Sequence, residues 1–230
     1  MMKIIIVQII LMLFPYTIRR YFLNKIFGFK IHKTAKIGFS LILCDKLEME
    51  EYSYISHLTI VKPIDSLIMK PYARIGSLNF ITGYNTRNTS IAKKIGFYKH
   101  IIDRKCELVL EEDAAITSRH FIDCNGGVYM GEHSLLAGIR SQILTHAIDV
   151  YNCRQDTEPV IIGRYAFVGT GCILLKGTVV PDYSIVGAGA VMNKRYTESL
   201  KIYGGVPAVI KKDISNEEIK FFKRPSGDVL

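Results

Sequence analysis

At neutral pH the side chain best suited to taking a proton and returning it is histidine, because a pKa near 6.5 leaves both of its forms populated. The chain has six histidines, and two stand apart by their surroundings. His146 lies in "ILTHAIDVYNCRQDTEPV", a break in an otherwise periodic stretch. His120 lies in "TSRHFIDCNGG", between Arg119 and Asp123. His32, His57 and His100 fall in the less regular first half, and His133 reads as an outward corner residue. No third histidine joins His120 and His146, so no metal is expected. The five cysteines, Cys44, Cys106, Cys124, Cys153 and Cys172, are irregularly spaced and contain no CxxC pair. That argues against a zinc ribbon and fits reduced thiols in a cytoplasm.

The elements that must position these residues follow from a period of six. From Ile162 the chain divides into units that begin at Ile162, Val168, Leu174, Val180 and Val186, with Met192 next in line. The first position is aliphatic, the second is often Gly, and the fifth is small: Ala166, Cys172, Thr178, Ser184, Ala190. A strand rises about 3.3 Å per residue, so six residues make one short side and a corner, and three sides close a triangular coil. The aliphatic residue fills the bore and the small one fits where the walls converge. Cys172 therefore reads as core and not as a nucleophile. The same rhythm runs earlier through Ile31 and Ile37, then Met49, Ile55 and Val61. It continues through Met69, Ile75 and Ile81, then Leu110, Ile116 and Ile122, and resumes at Met130 and Leu136 after a slip at "CNGG". Residues 84–105 break the period and read as a loop with a short helix over 90–98.

Both ends differ from the middle. The apolar run from Ile4 to Phe14 is too short to span a bilayer, which takes about 20 residues, and no small-x-small cleavage site follows it. Ile18, Phe22, Ile26 and Phe29 fall near one helical face, with Arg19, Asn24 and Lys25 elsewhere. Residues 1–30 thus read as an amphipathic segment that lies on an anionic membrane or packs on the protein itself. "SNEEIKFFKR" reads as a short capping helix opened by Ser215 or Asn216, needed because an open coil exposes a sheet edge. The net charge of +9 admits nucleic acid, anionic lipid or a phosphorylated small molecule as partner. No nucleic-acid-binding signature is present, and none is expected to bind.

"IVGAGAVMNK…IYGGVPAVIKK" over residues 185–212, preceded by a looped-out histidine, resembles the left-handed β-helix acyltransferases built of hexapeptide repeats. The resemblance is to the maltose and galactoside acetyltransferase group and to relatives that O-acetylate bacterial polysaccharides, and it covers residues 31–212. It implies an all-β fold: a left-handed parallel β-helix with an N-terminal amphipathic helix, a histidine loop at 143–160 and a short helical tail over 213–230. It also implies a homotrimer with active sites between subunits, acetyl-CoA as co-substrate, and a sugar or glycan acceptor at the cytoplasmic face of a membrane. "MGEHSLLAGIRSQILTH" matches the family's histidine loop and puts the general base on His146, with His120 as the rival. Arg119, His120 and Asp123 fall where the family contacts the acceptor and could orient it or support the base, and Asp149, Gln155 and Glu158, in the same loop as His146, could do the same. Coenzyme contacts fall on Gly169, Thr170, Ala188, Asn193 and Lys194, then on Lys211 and Lys212 near the nucleotide phosphate. Two departures are Val209, where a base is frequent, and Phe167, where Trp is frequent.

The chemistry suits the residues. Transfer to a hydroxyl needs a base for its proton and fixed N–H donors for the oxyanion. Leu136-Ala137-Gly138 or Val168-Gly169-Thr170 are the backbone candidates for the latter. N-acylation of an amino-nucleotide sugar, a non-catalytic scaffold and a three-histidine carbonic-anhydrase-like site are the alternatives.

Overall fold

The computed structural model describes residues 2–87, 96–215 and 219–224. Strands of two to four residues stack into three parallel sheets that form the sides of a prism. The first face stacks Lys30–Ile31, Lys46–Met49, Ser66–Met69, Glu107–Leu110, Val128–Met130, Val160–Ile162 and Val179–Val180. The second stacks Lys36–Ile37, Tyr54–Ile55, Arg74–Ile75, Ala115–Ile116, Leu135–Leu136, Phe167–Val168, Ile185–Val186 and Lys201–Gly204. The third stacks Leu41–Ile42, Ile60–Val61, Phe80–Thr82, Phe121–Asp123, Gln142–Leu144, Ile173–Leu174 and Val191–Met192.

The bore is filled as the period requires. Met49, Met69, Leu110, Met130, Ile162 and Val180 stand in register on the first face, and Ile55, Ile75, Ile116, Leu136, Val168 and Val186 on the second. All are buried. The fifth-position residues Ala166, Cys172, Thr178, Ser184 and Ala190 are wholly buried as well.

One corner, between the second and third faces, has a polar interior. Each turn there offers a side-chain acceptor to the backbone N–H of the next turn. Ser40 Oγ accepts from Thr59, Thr59 Oγ1 from Asn79, Asn79 Oδ1 from His120, His120 Nδ1 from Ser141, and Ser141 Oγ from Cys172, over 2.9–3.2 Å. A buried amide without a partner is costly, and this ladder leaves none of these five unpaired.

The N-terminal end is closed by helices α1 (Met2–Leu11) and α2 (Tyr16–Phe27). At least one polar side chain serves each open sheet edge. Asn24 exchanges hydrogen bonds with Ile31 of the first face. Arg19 donates to the carbonyls of Ile37, Gly38 and Ser40 at the second. Gln8 exchanges hydrogen bonds with Ile42 of the third. Arg19 is therefore buried and does not face lipid headgroups. Ile18, Phe22 and Ile26 share a face as expected, but it points outward, and Phe29 leaves it to enter the core.

At the other end the cap is a strand hairpin and not a helix. Val209–Asp213 pairs antiparallel with Lys201–Gly204 along the second face. The connecting chain bonds to Val191 on the third face, and Tyr196 bonds to Val179 on the first. Ser215 is not helical, Asn216 lies outside the described residues, and the described residues of the tail form a 3-10 turn, Lys220–Lys223. That turn folds back along the prism, with Phe221 against Phe167 and Phe222 against Tyr183. Of the helix expected over 90–98, residues 90–95 lie outside the described residues, and 96–98 are in turns.

Candidate active site

Both departures from the period leave the prism at one corner, where the third face turns into the first. The chain leaves it after Phe80–Thr82 and returns at Glu107–Leu110. Two turns later the antiparallel hairpin His146–Asp149 and Arg154–Thr157 leaves it between Gln142–Leu144 and Val160–Ile162. The turn between them is "CNGG", a widened corner. A Cβ on Gly126 would stand 2.7 Å from the Glu158 carbonyl oxygen, so the chain crossing above needs a glycine beneath it.

His146 begins the hairpin, and Asp123 ends the strand one turn below. Asp123 Oδ2 accepts from His146 Nδ1 at 2.6 Å and from the Thr145 N–H at 2.9 Å. Its other oxygen accepts from the side chain and backbone of Asn125, at 2.6 and 3.2 Å. Asp123 is 1% exposed. Burial alone would raise its pKa, but the hydrogen bonds from His146, Thr145 and Asn125 outweigh it and hold the carboxyl below the usual carboxylate range. The bond to Asp123 raises the pKa of His146 against the opposing effect of burial. With Nδ1–H held by a carboxylate, the proton-accepting lone pair is on Nε2, and the side chain is 40% exposed.

The insertion frames this pair. Asn125 Oδ1 accepts from the Tyr84 N–H, and the Arg104 guanidinium donates to the carbonyls of Asn125 and Tyr84. The same guanidinium lies 4.6 Å from the Tyr98 ring centre. Tyr98 is buried, and burial with the nearby Asp123 charge pushes its hydroxyl well above the usual range. On the next turn Lys176 bonds to Asp156 at 2.6 Å and Glu158 at 3.0 Å, tying down the hairpin. Tyr84, Tyr98, Arg104, Asn125 and Lys176 carry no motif that marks them in the sequence. They meet because insertions emerging from one corner stack.

The remaining candidates distribute as follows. His120 is in the interior ladder, with Nδ1 accepting from Ser141 N–H and Nε2 2.9 Å from Thr117 Oγ1. It is 2% exposed, and burial lowers its pKa to about 4. It has no face to offer an acceptor. Arg119 is exposed at that same corner, away from His146. Asp149 is engaged by Asn152 and Arg154 at the hairpin tip.

Gly169, Thr170 and Ala188 lie at the corner between the second and third faces, and Asn193 and Lys194 at the corner that also bears His146. The third face separates these two groups, roughly 15–20 Å at strand rise. Lys194, Lys211 and Lys212 are exposed, which suits a polyanion. The N–H groups of Ala137 and Gly169 donate to Val168 and Val186 in the inter-turn ladder. They are not available to an oxyanion. Among the described residues no three His, Cys, Asp or Glu side chains converge as a metal set.

No family model matches the chain. The galactoside O-acetyltransferase of Escherichia coli (strain K12) is 21% identical over 184 residues, 77% of this chain and 81% of that protein. The mitochondrial gamma carbonic anhydrase 2 of Arabidopsis thaliana is 27% identical over 86 residues, 37% of this chain and 28% of that one. Among solved structures, the polysialic acid O-acetyltransferase OatWY superposes with a TM-score of 0.58 at 16% identity, covering 83% of this chain and 88% of its own. This chain is a left-handed parallel β-helix of hexapeptide repeats, and it resembles the acetyltransferases built on that fold.

Proposed function

We propose that this chain is an acyl-CoA-dependent O-acyltransferase that uses acetyl-CoA and a hydroxyl of a sugar or polysaccharide precursor. The observation that carries the reading is the His146–Asp123 pair: a 2.6 Å bond to a buried carboxylate, with the second ring nitrogen open at a corner framed by both insertions. His146 Nε2 takes the proton of the acceptor hydroxyl as its oxygen attacks the thioester carbonyl. The tetrahedral intermediate collapses, the carbon–sulfur bond breaks, and the imidazolium returns the proton to the leaving thiolate. The products are the ester and free coenzyme A. Asp123 positions the ring and favours its charged form during the step.

Small residues at Gly169 and Ala188, followed by exposed Lys194, Lys211 and Lys212, fit a thin molecule with phosphates at one end. In one subunit these positions lie partly across the third face from His146, and this supports a trimer in which a neighbour completes the site. No described helix is long and apolar enough to cross a membrane, and the chain is proposed to act as a peripheral protein on the inner membrane surface.

The test is transfer from acetyl-CoA to a panel of oligosaccharides by wild type and His146→Ala, with calorimetric titration of coenzyme A into both. The variant is expected to bind coenzyme normally and to lose activity by about 10²–10⁴-fold, the scale of a removed general base. Full activity in the variant overturns the assignment. Absence of coenzyme binding in the wild type leaves the scaffold reading in its place.

A further inference from the structure

The helical cap has two faces, and only one is accounted for. The inner face seals the first turn of the prism. The outer face exposes Ile6, Ile9 and Ile10 of α1, Leu13 in the turn that follows it, and Ile18 and Ile26 of α2, and Leu13 is 84% exposed. Large contiguous apolar faces on soluble proteins mark a contact surface. The charge around it selects the partner. Up to Asp45 the chain has seven basic residues and no acidic one. Lys3 and Lys25 are exposed on the helices, and Lys33 and Lys36 on the turn behind them. A second copy docked here would bring like charges together, whereas an anionic bilayer offers apolar depth and opposite charge at once.

We propose that this face docks the prism end-on onto an anionic bilayer and holds the His146 corner at a fixed height above it. The orientation follows from the cap, because Gln8, Arg19 and Asn24 each bond to the edge of a different sheet and so lay both helices across the end of the prism. His146 follows the fifth strand of the third face. Four steps of about 4.8 Å give about 19 Å. A half-immersed helix layer adds about 5 Å, so the corner stands roughly 20–25 Å above the surface.

Resting on the reading of His146 as the base, this height selects the acceptor. A single sugar on a lipid headgroup lies too close to the membrane. The acceptor is a membrane-borne glycan already several sugars long, or a polymer passing the corner.

The experiment uses the full chain with phosphatidylcholine vesicles, with and without one third phosphatidylglycerol. Binding is expected only to the anionic vesicles, with loss at high salt. The double variant Ile9→Glu/Leu13→Glu should abolish it while leaving circular dichroism and coenzyme titration unchanged. Cys153 is exposed at the hairpin tip, and the other four cysteines are buried. A fluorophore there, read by energy transfer to a headgroup acceptor, should report about 20–30 Å from the surface. Equal binding to both vesicle types, or none, overturns docking. A changed oligomeric state in the double variant assigns the face to a second copy instead. A transfer distance below about 10 Å means the prism lies on its side and removes the height argument. None of these readouts requires catalysis. If docking holds and His146→Ala keeps full activity, the base has failed and the docking has not.

Discussion

His120 and His146 belong to successive turns yet are shifted in opposite directions, because burial governs the first and a hydrogen bond to the Asp123 carboxylate governs the second. Replacing Asp123 by Asn tests the pair. The acidic limb of the rate profile should move to lower pH, since the charge that raises the His146 pKa is gone, and kcat should fall by about 10-fold or more. An unmoved limb separates Asp123 from the base. For stability, the raised His146 pKa contributes below the unfolded histidine value and is lost as pH rises through the folded one. The lowered Asp123 pKa contributes above the unfolded carboxylate value and is lost as pH falls through the folded one. The pair is therefore strongest between the two. His120 has the other sign for a histidine. Its folded pKa of about 4 means that the unfolded chain binds more protons below about pH 6.5, so stability falls as pH drops from there toward 4. His120→Ala removes an acceptor from a buried amide and should cost about 1–3 kcal/mol. His120→Asn, the residue type one turn below, should recover much of it, read by urea unfolding at pH 7 and pH 5. Counting from Ile116 places His120 at the fifth, inward position, so its burial was legible in the sequence. That Asp123 could support the base was legible too; that it, and not Arg119 or His120, pairs with His146 was not, because pairing across turns depends on how many residues each insertion removes from the prism.

At the scale of elements, the repeats announced themselves wherever the interior is a column of aliphatics, and less clearly where a corner is polar. The helices were legible as amphipathic, but the inner face was not. Burying Gln8 and Arg19 and half-burying Asn24 runs against hydrophobic patterning, and it makes sense only beside three open sheet edges. Arg19 donates to three carbonyls with no carboxylate beside it, and burial lowers its pKa. Arg19→Met keeps the length and apolar stem but strands those carbonyls, so a loss of about 2–3 kcal/mol is expected by chemical denaturation. A loss below about 0.5 kcal/mol would show that water serves that edge equally well. The C-terminal segment read as a helix because its acids and aromatics suit one. The exposed edge of the second face claims the preceding residues as a strand, and Lys220–Lys223 keeps only a single turn.

For the whole molecule, the two ends are closed by unlike devices, helices at one and a hairpin at the other, and the proposed site lies at the corner where the period fails twice. The interior ladder from Ser40 to Cys172 gives this architecture a sense of direction. In every rung the later turn donates its amide and the earlier turn supplies the acceptor. A turn already in place thus presents the group its successor needs, beginning beside the helical cap. The ribosome delivers the turns in that same order, N-terminal first. The prism is in this respect a template for its own continuation, and the first two helices, made before any turn exists, are its foundation stone.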